Sequence, residues 1–194
     1  MNNDTAVETG FHAVMYAEST SVPSRCGMLQ PCMIRSDDLA RLDSTWVEVL
    51  PGDEILDRLV IEGELFEEAF FAYHEDADLG WRARRLGYRV RYVPSAVAVH
   101  ARGWKKAERK RIPVVIRRYS FKNHYLQIVK NETLRDFVWH APAILGWEIL
   151  RLEFTVLRDP MLLPACVDAA RALPDAFRKR RVIATRACEL KGRT

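Results

Sequence analysis

Between Cys26 and Ile34 apolar residues run almost without a break around Gly27 and Pro31, which predicts a buried strand with an interruption in its ladder. Ser36, followed by Asp37 and Asp38, reads as the cap and acidic first turn of a helix. Within residues 43–62, Pro51-Gly52 separates two apolar stretches and marks a turn with a short helix behind it. A clearer helix starts near Asp76. Leu79, Ala83 and Leu86 share one face, acids crowd the first turn, Arg82, Arg84 and Arg85 the last, and Gly87 stands just past the end. Tyr88 to Val93 alternates as a strand does, Pro94 breaks the alternation, and Val97 to His100 resumes it. Helical spacing takes over from about Ile112. The stretch from Phe137 to Leu157 is dense in Leu, Ile, Trp and Phe yet carries Glu148, Arg151 and Glu153, which suits a helix lying on an interface rather than crossing one. Pro160 ends it. A last helix is expected from Pro164 to Ile183, finishing in the basic run Arg178–Arg181, a solvated helix end favoured by the dipole. Residues 1–25 show no periodicity and predict a polar loop.

Composition narrows the class. With 194 residues, 48% apolar and 29% charged, the chain has the profile of one globular domain or slightly more, which excludes collagen, coiled-coil and disordered classes. No uncharged apolar run reaches the ~18 residues a spanning helix needs. The net charge of +4 conceals a split: residues 1–100 hold 9 Lys+Arg against 17 Asp+Glu, residues 101–194 hold 21 against 9. Two different partners are therefore expected, a metal or cationic transition state for the acidic half and phosphates for the basic half. Cys26, Cys32, Cys166 and Cys188 lack the spacing of a zinc site or disulfide framework and read as reduced thiols. The first ten residues show no signal-peptide pattern, so the expected location is cytoplasmic, with a peripheral place on the inner face of the cytoplasmic membrane open to the basic helices.

Candidate chemistry centres on Glu75-Asp76 at a helix entry and His100 at the end of an apolar strand. Carboxylates at a helix N-terminus stay ionised, as a general base requires. Taken singly, the acids read as helix caps and His100 as a structural histidine. Their surroundings add more. The stretch FFAYHEDADLGWRARRLGYRVRYVPSAVAVH, residues 70–100, resembles the F-F-x-Y-x-E-D-x-D-L-x-x-R block of inverting family-2 glycosyltransferases of the GT-A, rhamnosyltransferase-like type. Gly27 to Leu39 is similar to that family's strand-to-helix element, with Ser36 after Arg35 where a second Arg is usual. Tyr119 to Glu132 resembles its R-N-R-Y-x-x-x-x-K-N segment.

The resemblance implies α/β architecture: a partial GT-A fold with an incomplete doubly wound sheet, followed by amphipathic helices. It divides the chain into a polar segment 1–25, an acceptor-side half 26–111 and a basic helical region 112–194. It implies transfer of a sugar from a nucleotide-diphospho donor to a glycan or lipid-linked acceptor in cell-envelope polysaccharide assembly. Asp76 is then the base that takes the acceptor's proton and Glu75 orients it. His100 helps hold a divalent cation, Mg2+ or Mn2+, Asp78 contacts substrate, and Arg82 supports the same helix or reaches a substrate phosphate. The family's nucleotide-binding half, with its D-x-D metal motif, has no counterpart here, and Asp76-Ala77-Asp78 occupies the E-D position instead. The chain alone is therefore expected to transfer little, and a separate polypeptide supplying that half is one expected partner. The competing reading is a non-catalytic module for an anionic membrane surface or a protein partner, built on the basic helices. Nucleic acid is not an expected partner, since no recognisable motif accompanies the Arg-rich runs.

Overall fold

A computed structural model describes residues 5–21, 26–36, 38–42, 48–50, 53–101 and 111–192. Its sheet is mixed, with strands in the order β1 (Thr5–Val7), β5 (Arg89–His100), β2 (Cys26–Arg35), β3 (Asp38–Leu42), and with β4 (Glu48–Val49) also on β2. Only β2 and β5 run parallel, and both are central. Each carries a proline, and the two meet at one irregularity: Pro31 pairs with Val93, but the next residue, Cys32, pairs with Val97. A proline donates nothing to the ladder, so the excess residues around Pro94 bulge out and the strand continues. Pro94 therefore bends β5 without ending it.

Three helices cover the sheet. On one face α1 (Phe11–Ser21) presents Phe11 and Met15, one turn apart, to Leu29, Met33 and Val93. On the other, α2 (Asp53–Leu59) and α3 (Glu75–Arg85) bring Leu59, Leu79 and Ala83 against Met28. Burying each of these larger side chains contributes about 1.5–3 kcal/mol. Gly27 lets the chain after α3 come close: a Cβ there would lie 3.0 Å from the Tyr88 ring. At Gly87, φ of 91° supplies the left-handed exit that terminates α3.

Two expectations fail here for one reason. Residues 5–21 form β1 and α1 rather than a loop, because β5 offers β1 an antiparallel edge, with Thr5 opposite His100 and Val7 opposite Ala98. Ser36 opens no helix. Arg35 pairs with Asp38 and Ile34 with Leu42 in a hairpin, so the free edge of β2 outweighs a local capping signal. The expected Pro51-Gly52 turn and the basic segment 102–110 lie outside the described residues.

Beyond the sheet, α4 (Val114–Asn131), α5 (Leu134–Arg158) and α6 (Leu163–Lys191) run up, down and up. Phe121 meets Leu162 and Ala165, while Leu126 meets Ala176, so α4 and α6 lie side by side in the same direction. Arg117, buried, pairs with Asp159 where α5 passes into the 3-10 turn Pro160–Leu162. As expected, Pro160 ends α5. The basic run in α6 is no solvated helix end, however, since the helix continues to Lys191. Arg178 grips Glu62, Lys179 reaches Glu64 and Glu67, Arg180 donates to the Val129 carbonyl and Arg186 to that of Arg58. Part of the opposed charge of the two halves is thus paired between them, and the helical region docks on the sheet layer rather than standing apart. Among the described residues, no helix is long and apolar enough to cross a membrane.

Candidate functional site

The loop that delivers Asp76 is held in an unusual conformation. Phe71, Tyr73 and His74 have φ of 55°, 65° and 75°, a region side chains other than glycine seldom enter. Such residues cost about 1–3 kcal/mol each and persist only where the surroundings over-determine them. Here the surrounding group is Asn123, fully buried on α4, whose amide donates to the carbonyls of Phe70, Ala72 and Tyr73 at 2.7, 2.9 and 3.0 Å. His74 Nδ1 lies 2.8 Å from Gln127 Oε1, one further turn along α4. Burial keeps the His74 imidazole pKa below its usual value, though the Gln127 contact works the other way.

At the mouth of this loop Asp76 sits in the first turn of α3. Its Oδ1 accepts from the backbone N–H of Ala77 at 2.7 Å. Burial pushes its pKa above the ordinary carboxylate value, against that hydrogen bond and with help from the charge of Glu75. The carboxylate lines a cavity of about 710 Å³ between α3 and β5. Trp81 and Tyr92 supply aromatic walls, Gln30 and Gln127 amides, Arg84 and Arg89 positive charge. Ala77 and Gly80, on the same face of α3, leave the space open. Aromatic faces with a few convergent polar groups suit a ring that has apolar faces and a hydroxyl edge.

The other expected residues are placed differently. Glu75 stands beside Asp76, but its Oε2 is sealed from solvent with no hydrogen-bond partner among the described residues. Asp78 and Arg82 cannot touch a substrate: they are 0% and 1% exposed. Asp78 Oδ2 accepts from Arg82 and from Lys130 at 2.7 and 2.9 Å, and its Oδ1 from Asn131 at 2.6 Å. Lys130 passes on to Glu67, and Glu67 to Lys179, at 2.6 and 2.7 Å. Arg82 also donates to the Leu59 and Leu65 carbonyls. This seam fixes α3 against α4 and α6, so both residues position Asp76 instead of binding ligand.

His100 also lies elsewhere. Tyr92 lines the cavity opposite Gln30, and His100 pairs with Thr5 and with Arg35, five residues further along β2, roughly 16 Å away at the rise of a strand. Among the described residues no group of three or more His, Cys, Asp or Glu is placed to hold a metal ion. His100 therefore does not share the cavity that Asp76 lines.

Sequence reasoning missed Trp81, Tyr92, Gln30 and Gln127. A signal existed for the first: Ala77, Gly80, Trp81 and Arg84 recur at helical spacing opposite the Leu79–Ala83–Leu86 stripe, a second face with small residues framing a large one. Compared with protein-family models, curated proteins and solved structures, the chain matches none.

Proposed function

We propose that this chain is the acceptor-side part of an inverting glycosyltransferase of partial GT-A architecture. Completed by a separate polypeptide that supplies the nucleotide-binding half, it transfers a sugar from a nucleotide-diphospho donor to a glycan or lipid-linked acceptor, and alone it transfers little. The observation that carries the reading is the Asp76 carboxylate, raised in pKa and set on the wall of an aromatic-lined cavity. Asp76 takes the proton from an acceptor hydroxyl as that oxygen forms its bond to the anomeric carbon. On the opposite face the bond from that carbon to the diphosphate oxygen breaks, and its electron pair leaves with the nucleotide. A base pKa moved toward neutrality makes proton removal easier at working pH. Arg84 and Arg89 offer the departing diphosphate countercharge, and Trp81 offers the acceptor ring a flat apolar surface.

The geometry of the resembling segments supports the same reading. Asp78 and Arg82 belong to one, Lys130 and Asn131 to the other, some fifty positions away, and these four side chains meet in one buried cluster. The test is nucleoside-diphosphate release from a panel of nucleotide sugars, with a glycolipid extract as acceptor, by the chain reconstituted with a polypeptide that supplies the nucleotide-binding half. Asp76→Asn should lower the rate about 10²–10⁴-fold while the melting curve stays in place. Release that persists in Asp76→Asn would show that the base lies elsewhere.

A further inference from the structure

A second hollow, of about 480 Å³, opens between α4 and α6. Arg118, Tyr119 and Lys122 face it from α4, Asp168 and Arg171 from α6. Three cations thus surround one carboxylate. Two are aimed by neutral groups: Arg118 Nε donates to the Met161 carbonyl at 2.8 Å and Lys122 Nζ to the Ala69 carbonyl at 2.7 Å, bonds that orient the charges without cancelling them. Arg171 lies 3.8 Å from Asp168, its side chain 78% exposed. Crowded like charges in a concave surface raise the local potential and favour an anion. Two guanidinium groups beside an ammonium make a set suited to a phosphate, through forked hydrogen bonds and a point charge.

The rim of the hollow is apolar and faces water. Val115 lines it, and Met161, whose carbonyl holds Arg118, is exposed at the junction of α5 and α6, as is Val167 beside Asp168. From Met161 the exposed apolar surface continues onto α5, where Leu150 and Leu157 stand in solvent. A free phosphate has no use for such a rim, whereas a phosphate carrying hydrocarbon chains does.

We propose that this hollow binds the phosphate headgroup of a membrane lipid, with its chains against the apolar rim and the exposed surface of α5. The site stands independently of sugar transfer at Asp76. It would hold the protein to a lipid surface through one built pocket in place of diffuse charge.

Flotation of the full chain with vesicles of phosphatidylcholine, with and without phosphatidic acid, tests it. Binding should need the phosphatidic acid and be displaced by inorganic phosphate. Arg171→Gln should weaken it about fivefold, as expected for one cation near an anionic surface. Asp168→Asn should strengthen it by a similar factor, a gain that misfolding cannot produce. Arg181→Gln, a change on the same helix outside the hollow, should leave it unaltered. The proposal is overturned if Arg181→Gln weakens binding as much as Arg171→Gln, or if phosphatidylcholine alone binds equally well. Binding of inorganic phosphate without any vesicle binding also overturns it, as does failure of Asp168→Asn to strengthen the interaction.

Discussion

Where α3, α4 and α6 meet, Asp78, Arg82, Lys130, Glu67 and Lys179 are sealed from water, whereas on neighbouring α5 Trp139, Ile149 and Leu157 stand in it. Of the 25 residues of α5 only Thr155 is buried. The usual distribution is reversed in both places, and for different reasons. Charges inside are tolerable because each is matched: Asp78 has three donors and Glu67 two lysines, so the desolvation cost is offset and the geometry becomes specific. Hydrocarbon outside has no such internal compensation, and so much exposed apolar surface on one helix belongs against another apolar phase. The seam explains how the protein holds its own shape, and α5 points to what lies beyond it.

The strongest way to break this contrast is Asp78→Ala, which strands Arg82 without its acid and leaves Lys130 to Glu67 alone. It should cost about 3–5 kcal/mol, read as a lower midpoint in urea unfolding. The same seam responds to pH. Burial alone would raise the Glu67 pKa, but Lys130 and Lys179 prevail and hold it below the ordinary value. Its contribution is therefore complete above the unfolded value of about 4.3 and is lost as pH falls through the lower folded value. Unfolding followed across that acid range should show the loss in the parent chain, and a smaller one in Glu67→Gln.

Next in size, Asn123→Ala removes the clamp on three carbonyls and should cost about 1–3 kcal/mol. Faster amide exchange, confined to residues 71–76, would mark the release of the strained loop, and uniform acceleration across the fold would contradict a local clamp. At the small end, Trp139→Gln should change stability by less than about 0.5 kcal/mol, since Trp139 is 75% exposed. A large loss of stability would show that α5 is packed in solution, and the contrast with the seam would then disappear.

The sequence alone told apart what is decided locally. The acids, arginines and Gly87 around α3 mark both of its ends because caps act within one turn, and the alternation of Tyr88 to Val93 is a property of that strand alone. β1, α1 and β3 were not legible, since each forms by meeting an edge or face whose existence depends on chain far away. The same holds for the site. Asp76 stands out from its motif, and Trp81 could have been read from its helical face. Gln127 and Asn123 gain their meaning only when α4 is laid beside α3. His100 shows the converse error: closeness within a motif says little about distance along an extended strand.

The pairing of acids before position 101 with bases after 111 has one more consequence. Since Glu62, Glu64, Glu67 and Asp78 are answered by Arg178, Lys179 and Lys130, the two stretches are complementary surfaces as well as consecutive ones. Made as separate polypeptides, they would attract each other at long range and reassemble through the same ion pairs, so the covalent link between them sets their proximity more than their fit.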